Sequence, residues 1–467
     1  MSSRLSSAPA DPREVCEQAI LQLFDWAFST TPHDIPEEVK RRAVLVLFDD
    51  LAAMTGAAVE PEFQRLLPKL GGTGGTPEAT IIPVPGRKTD RRNAALINAV
   101  AANWLELDEG YRLSPCHAGL YVLPALLADA EARGTSFDDL LRAIVLAYEM
   151  VTRIARAFEQ RPAVMQSHGR FAAVGAAVAV ALNRRLPAQQ ALDAASAAVT
   201  LITPAPRNHL ALGALVRNVW AGVGAQSGMA AVEWADGGIS GTPGSFYDVY
   251  CTVLGGIFHE KFLTQELGRS WAILDGYTKM YACCQHLHAA VEATLEIRDQ
   301  AIQKGVDNIT AIEVETHELA LPLQNPQPHN TLAAKFSMSH ALAAAVVRGN
   351  GGADAFSSAM LADEKVNRLR QRVSMAPWPT PIPAPPNDRP ARIQMGFADG
   401  TQLVAECLSA TGGPDRPYAD EQRLNKIGAL TQSMYPRLRP AADALMALPA
   451  ARMRQPWRDI VAAFTAS

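Results

Sequence analysis

The residues best suited to chemistry lie in one short polar stretch, residues 103–126, between two apolar helical segments. Three acids come first, and an arginine, a cysteine and a histidine follow: Glu106, Asp108, Glu109, Arg112, Cys116 and His117. Ionisable groups between buried helices are costly unless they are paired or used. Loops held by rigid helices are also common places for catalytic residues. The stretch therefore predicts one wall of an active site.

Three further polar segments interrupt apolar helical sequence, and each supplies a residue that could act with the first stretch. They are centred on His168, Arg217 and Lys279. An imidazole has an unperturbed pKa of about 6.5, so His117 and His168 can serve as base and acid near neutral pH. Arginine and lysine bind carboxylates, and they stabilise the enolate that forms when a proton leaves the neighbouring carbon.

We therefore predict acid–base catalysis without a cofactor on a small anionic carboxylate. One of His117 and His168 removes the α-proton, and the other, or Lys279, protonates the leaving group. Arg112 and Arg217 hold carboxylates in this hypothesis. The acids Asp108 and Glu109 line the substrate-binding wall, where they orient the histidine and pair with the cations. Glu106 is the acid that we expect to take part in the reaction directly.

The same residues fit three reactions of a carboxylate, and the sequence leaves the choice open. A dehydratase needs a base and an acid, whereas an epimerase needs two bases on either side of one carbon. A decarboxylase needs a proton donor but no base. Dehydration, a hydro-lyase reaction, is the first choice, and epimerisation is the runner-up. A binding protein without catalysis is the remaining alternative.

The sequence lacks the signatures of metal, serine hydrolase and nucleotide-binding sites. His286 and His288 with Cys283 and Cys284 could ligate a metal, but helix positions two apart do not face each other and no zinc spacing occurs. The sequence has neither a Gly-x-Ser-x-Gly elbow nor a dinucleotide fingerprint. The Gly-rich run 71–75 is not followed by Gly-Lys-Ser/Thr and is expected to be a flexible loop. We predict no metal and no cofactor.

Composition narrows the class of protein. The chain has 467 residues, of which 48% are hydrophobic, and a formal net charge of −4, as expected for a globular protein of more than one domain. This charge predicts no binding to nucleic acid or to an anionic membrane.

The apolar run 171–182 is too short to cross a bilayer. Residues 1–13 lack the apolar core of a signal peptide and are expected to be disordered. Scattered cysteines predict reduced thiols and a cytoplasmic protein.

The elements that must position these segments are mostly helical. Helical periodicity recurs up to about residue 275, which predicts a mainly α protein whose first part is all-α. Beyond it, residues 309–315 alternate like a strand, and residues 391–408 predict a hairpin at Asp399-Gly400. Seven prolines in residues 376–390 predict an extended loop, to which we assign no function.

This layout predicts three parts along the chain. Residues 1–275 form the first part of a large helical domain, and residues 276–409 form an inserted, smaller α+β domain. Residues 410–467 form a helical tail that returns to the helical domain. The polar segments around residues 106–117 and 279–288 would then meet near the junction, where ligand pockets are common.

Several of these segments together resemble the MmgE/PrpD family. They are the acids at 105–109, His117 with the following Val122–Leu126, the His168 loop before a Gly/Ala-rich helix, Lys279 with Cys283 and His288, and Ala334–Ser337. The resemblance covers nearly the whole chain. It implies a large helical domain with a smaller α+β lid, a homodimer, and a site between the domains.

The resemblance also implies roles for single residues. Glu106, His117, His168 and Lys279 correspond to active-site positions. Two further residues, Arg217 and His340, stand where a family decarboxylase has a lysine and a tyrosine, which implies contact with the substrate. The loop after the acids is one residue longer here than in the family, so Gly110 or Tyr111 replaces a threonine.

Overall fold

The computed structural model describes residues 11–70 and 75–466. The predictions of a disordered lead at residues 1–13 and of a flexible run at residues 71–75 lie largely outside the described residues. Most of the described residues are helical, so the prediction of a mainly α protein is confirmed. None of the helices in the described ranges has the length and apolar character needed to cross a membrane.

Long helices dominate the first 275 residues: Pro12–Ser29, Glu37–Gly56, Pro61–Leu70, Arg91–Ala102, Ala118–Arg133, Phe137–Ala157, Ser167–Asn183, Ala188–Val199 and Trp220–Asp236. Several begin at side-chain caps that the sequence signals. The Asp90 carboxylate accepts bonds from two backbone N–H groups of the first turn, and the Ser136 hydroxyl accepts one from Asp139. Such caps satisfy N–H groups that have no partner within the helix.

The helix Ser167–Asn183 lies at the centre of this bundle because its small residues let neighbours approach closely. All of its residues are buried. A Cβ on Gly228, in the helix Trp220–Asp236, would lie only 2.3 Å from the Ala173 carbonyl oxygen. Glycine is therefore required there for the two backbones to touch. His168 sits in the first turn of this buried helix, whereas the sequence predicted that it precedes the helix.

The later part of the chain contains a four-stranded sheet with helices packed against it. In spatial order its strands are Gln402–Cys407, Ala391–Phe397, Ile309–Thr316 and Val373–Pro377. The predicted hairpin is confirmed, and Gly400 in its turn has a φ of 81°. The fourth strand pairs in parallel with Ile309–Thr316, so the expectation that the loop begins at residue 376 is wrong by two residues.

Helices also occupy this part of the chain. They are His288–Lys304, Thr331–Lys335, Met338–Arg348, Ser358–Ala362 and Glu364–Arg370. The second and third of them are separate because Ser337 caps a new helix, its hydroxyl accepting from the His340 N–H. The first begins at His288, directly after a 3₁₀ turn.

The buried apolar residues form two clusters. One contains the first helices and the tail helices Asp420–Thr431, Leu438–Met446 and Trp457–Thr465, and the other is built mainly from residues 282–410. Lys426 of the tail donates to the Leu107 carbonyl oxygen at 2.9 Å and lies 2.7 Å from Asp49 Oδ1. The tail thus supports the stretch that carries the acids. The exact domain boundaries and the arrangement of a lid stay predictions.

Candidate active site

The acids of the polar stretch lie outside the helix that precedes them. The helix Arg91–Ala102 ends three residues before Leu105, and Glu106 then adopts a φ of 56°. This left-handed conformation costs a residue with a side chain about 1 kcal/mol or more, so its surroundings must hold it in place. Gly110–Tyr111 pairs with Gly276–Tyr277, which brings the segment before His117 beside the segment before Lys279.

His117 ends the stretch, immediately before the helix Ala118–Arg133. Its Nδ1 lies 2.7 Å from Asp108 Oδ2 and 3.0 Å from the Glu109 carbonyl oxygen. Both atoms are acceptors, so Nδ1 must carry the proton. In the neutral form of the imidazole the lone pair is then on Nε2, and no hydrogen bond to Nε2 occurs within the described part of the chain. The side chain is 15% exposed. Such an arrangement can orient a general base.

Four buried charges surround this histidine, and we call them the ion cluster: Glu106, Asp108, Arg217 and Lys279. Lys279 Nζ lies 3.5 Å from Glu106 Oε2 and 3.6 Å from Asp108 Oδ1. Burial alone would raise the pKa of Asp108, but Lys279 and His117 hold that pKa far below its usual value. Burial lowers the pKa of Lys279, and Asp108 with Glu106 more than reverses this. The ammonium therefore stays charged.

Arg217 connects the ion cluster to Asn103. One guanidinium nitrogen, Nη2, pairs with Glu106 Oε1, and Nη1 donates to both the side-chain and the backbone oxygen of Asn103. The Phe336 ring lies 5.5 Å from the guanidinium carbon. Glu106 thus receives both cations, which explains how its strained backbone is held.

His168 is buried and hydrogen-bonded at both ring nitrogens. Nε2 lies 3.1 Å from Asn103 Oδ1, and Nδ1 lies 2.9 Å from the Tyr121 hydroxyl. Because Asn103 Oδ1 also accepts from Arg217, it is an acceptor, and His168 Nε2 must carry the proton. Burial lowers the pKa of His168 well below its usual value, and Arg217 and His117 lower it further. His168 is therefore neutral at physiological pH, with its ring centroid 5.1 Å from that of His117.

The Glu109 carboxylate stabilises the loop through two hydrogen bonds. It accepts from the Gly119 N–H at 2.6 Å and from the Tyr148 hydroxyl at 2.8 Å. Burial raises the pKa of Glu109, and burial together with the Glu109 charge raises the pKa of Asp50 well above its usual value. The Glu109 carbonyl oxygen faces His117, so this residue also orients the imidazole through its backbone.

The structure brings Glu106, Asp108, Glu109, His117, His168, Arg217 and Lys279 together, but the contacts of two predicted residues lie elsewhere. Arg112 donates to Asp388 Oδ1 at 2.9 Å and to Ser409 Oγ at 3.0 Å. His340 Nε2 lies 3.0 Å from the Ala355 carbonyl oxygen, and its Nδ1 lies 3.3 Å from an Arg370 nitrogen. Neither contacts the ion cluster, and their binding of substrate stays a prediction.

Asn103 and Tyr121 were missed by the sequence analysis, although both hold His168. Tyr121 follows His117 by four residues, so the two lie on one face at the start of the helix Ala118–Arg133, with ring centroids 6.4 Å apart. That spacing was a usable signal. Asn103 had no such signal, because its partners come from residues 168 and 217.

His340 gives a prediction about stability. Its Nε2–H donates to Ala355 and its Nδ1 accepts from Arg370, and burial lowers its pKa to about 4 from 6.5. Between these two pH values the unfolded chain binds more protons than the folded chain does. The contribution of His340 to the free energy of unfolding is therefore fully present above pH about 6.5 and is lost as the pH falls towards 4. The expected contribution is up to about 3 kcal/mol.

Urea unfolding at several pH values measures this contribution. His340→Gln should give a shallower loss of unfolding free energy between pH 6.5 and 4 than the wild type. The exposed His33 offers a matched control, and His33→Gln should keep the wild-type slope. An unchanged slope in His340→Gln would show that the residue does not titrate in this window.

Comparisons with known proteins match most of the length of the chain. Residues 21–255 match the MmgE/PrpD N-terminal domain, and residues 281–448 match the MmgE/PrpD C-terminal domain. The cis-aconitate decarboxylase-like protein oryM of Aspergillus oryzae is 23% identical over 443 residues, which cover 88% of this chain and 90% of that protein. A cis-aconitate decarboxylase of Aspergillus terreus is 23% identical over 444 residues, or 88% and 89% of the two chains. The chain belongs to the MmgE/PrpD family.

Proposed function

We propose that the protein is a cofactor-independent lyase that dehydrates a small di- or tricarboxylate. The observation that supports this most directly is the state of His117. Its Nδ1 is held by Asp108 and by the Glu109 carbonyl, its Nε2 has no partner within the described residues, and a buried ammonium lies beside the same aspartate. The relatives named above also carry a tricarboxylate in their names.

The reaction starts at the free nitrogen of His117. Nε2 takes the proton from the carbon beside a carboxylate, and the electron pair of that C–H bond moves into the carboxylate as an enediolate. Lys279 and Arg217 offset the developing negative charge, which a water-excluded site makes more effective. The electron pair then forms the C=C bond and expels the β-hydroxyl. The imidazolium of His117 returns its proton to this hydroxide, which leaves as water.

Lys279 acts in this scheme as a charge and not as the acid. The two carboxylates raise its pKa above the usual value, which makes proton release unfavourable. His168 is neutral, and its Nε2–H and Nδ1 are both hydrogen-bonded. It therefore positions Asn103 and Arg217 around Glu106.

The geometry argues against an epimerase with two histidine bases. Such an enzyme needs two lone pairs on opposite sides of one carbon. The rings of His117 and His168 meet edge to face with centroids 5.1 Å apart, which leaves no space for a carbon between them. The lone pair of His168 is also engaged by Tyr121.

Decarboxylation is the second candidate, and the names of the relatives favour it. In this case His117 acts in its protonated form, which Asp108 stabilises. The C–C bond to a carboxylate breaks, carbon dioxide leaves, and the electron pair that remains on carbon takes the proton from His117. The same residues then serve as a proton donor and an anion-binding site.

One assay distinguishes these reactions. Malate, citrate and cis-aconitate are incubated separately with the enzyme in D₂O and followed by NMR. Dehydration of malate or citrate gives alkene signals, decarboxylation gives a product one carbon shorter, and epimerisation gives deuterium incorporation without a new product. His117→Ala protein purified in parallel excludes a contaminating enzyme. If none of the three acids reacts or exchanges, the proposal fails for this class of substrate.

His168→Ala should lower kcat roughly 100-fold, because Asn103 and Arg217 lose the group that holds them beside Glu106. Circular dichroism should show an unchanged fold. His259 is a matched control. It is half-buried, and like His168 it has a side-chain hydrogen-bond partner distant in sequence, the Glu159 carboxylate. His259→Ala should keep wild-type turnover, and equal turnover of the two variants would remove His168 from the mechanism.

A further inference from the structure

We propose that Arg389, together with His286 and His317, binds a second carboxylate of the substrate, away from the carbon that reacts. The inference rests on the proposed function, since it assumes that the substrate is a polycarboxylate. It also assigns a function to the Pro-rich segment 376–390, which carries Arg389 at its end.

The guanidinium of Arg389 lies between the two segments that carry the proposed reacting groups. Its Nη1 donates to the Gln285 side chain, six residues after Lys279. Its Nη2 lies 3.5 Å from the Arg112 carbonyl oxygen, five residues before His117. The arginine is thus anchored to both walls of the candidate site, and it is held there by side-chain and backbone oxygens without a formal charge.

The acid next to Arg389 pairs with it only at long range. Asp388 Oδ1 is bound by Arg112 at 2.9 Å. The other oxygen, Oδ2, lies 3.9 Å from Arg389 Nε, which is beyond hydrogen-bond length. A guanidinium has five N–H groups in a planar fork, and a carboxylate accepts two of them at once. Arg389 keeps this capacity for a ligand, with 16% of its side chain exposed.

Two imidazoles beside this arginine have buried nitrogens without partners. The rings of His286 and His317 lie 5.1 Å apart. No hydrogen bond reaches His286 Nδ1 or His317 Nε2 within the part of the chain that the structure describes. His317 is only 4% exposed, so this is an unsatisfied polar group in the interior. A buried polar group of this kind needs a hydrogen-bond partner, and a bound ligand can supply it.

The charges around His286 favour an anion. Its pKa is lowered well below the usual value, by burial first and then by Arg389 and His317. Arg207 lowers it further, so cationic groups approach this imidazole from more than one segment. A carboxylate bound between Arg389 and His286 would offset this positive potential and accept a hydrogen bond from the imidazole.

Arg112 acquires a different role in this arrangement. The sequence suggested that it binds substrate, but its guanidinium donates to the Pro386 carbonyl oxygen and to Asp388. These residues precede Arg389 directly. Arg112 is therefore a positioning residue, which holds the end of the Pro-rich segment against the site so that Arg389 reaches it.

The test compares Arg389→Gln with Arg392→Gln. Arg392 lies three residues later on the outer surface of the sheet, where it pairs with Glu406 and Glu315. Each variant is assayed with whichever of malate, citrate and cis-aconitate the wild type turns over, and citrate binding is measured directly by calorimetry. Arg389→Gln should raise KM and the Kd for citrate roughly 10- to 100-fold with kcat changed less than about threefold, since the arginine contacts a carboxylate that does not react. Arg389→Lys should be intermediate, because it keeps the charge and loses the fork.

The outcomes separate this inference from the proposed function. If the wild type turns over one of the acids and Arg389→Gln keeps its KM and citrate affinity, the second carboxylate site is wrong and the lyase proposal stands. If both arginine variants weaken binding equally, the effect is general electrostatics and the site is also wrong. If the wild type neither binds citrate nor reacts with any of the acids, the lyase proposal fails, and the second carboxylate site fails with it.

Discussion

Replacing His117 by alanine is expected to lower kcat about 10²- to 10⁴-fold, the range for the loss of a general base. The reason is the fixed tautomer: with Nδ1 held by Asp108 and Glu109, Nε2 is the basic nitrogen. Steady-state kinetics on the acid identified in the D₂O assay measures the loss. The fold should survive, because Asp108 keeps Lys279 as a partner when the imidazole is removed.

Two controls make the His117 result specific. Free imidazole added to His117→Ala should restore part of the activity, since the substitution leaves a space of matching shape. Asp108→Asn should also lose activity, because an amide no longer requires the proton to be on Nδ1 of His117. A His117→Ala enzyme that keeps more than a third of the wild-type kcat would exclude this residue as the base.

Lys279→Met is expected to destabilise the protein by about 3–5 kcal/mol and to abolish measurable turnover. The substitution leaves Asp108 without its buried cation and leaves Glu106 with Arg217 alone. Methionine has a similar length, so the loss comes from the uncompensated charge and not from a cavity. Urea unfolding at pH 7 measures the change in the free energy of unfolding.

A lysine in an ion pair near the surface, Lys304, provides the control for Lys279→Met. Lys304 lies 3.4 Å from Asp399 at an exposed position, and Lys304→Met should cost less than about 1 kcal/mol. Combining Lys279→Met with Asp108→Asn should recover part of the lost stability, because the second change removes a charge that the first one stranded. Equal losses for Lys279→Met and Lys304→Met would mean that the ion cluster contributes nothing to stability.

Local signals predicted much of the fold. The Ser136 cap, the long apolar stripes and the Asp399-Gly400 turn each specify their own element, and the structure confirms those elements. The short pairing of Gly110–Tyr111 with Gly276–Tyr277 could not be predicted, because two residues carry no periodicity. The strand Val373–Pro377 was missed because prolines follow it, although an edge strand tolerates a proline.

The site was predicted as a set of residue types, and its geometry came only from the structure. The sequence identified His117, His168 and Lys279 as polar residues in apolar surroundings. Which histidine has a free nitrogen depends on long-range partners, since His168 is engaged by Asn103 and Tyr121. The positions of Arg112 and Arg389 likewise depend on the Pro-rich segment, whose path no local pattern specifies.

Lys426 has a consequence for the time at which the protein becomes active. Its ammonium joins the Leu107 carbonyl across 319 residues of sequence, and it pairs with Asp49. The entropy of closing so long a loop makes this contact form late, after the first helices have packed. During synthesis on a ribosome the chain emerges from its N-terminal end. We therefore expect a nascent chain to be folded over most of its length and still inactive until the helix Asp420–Thr431 has left the exit tunnel.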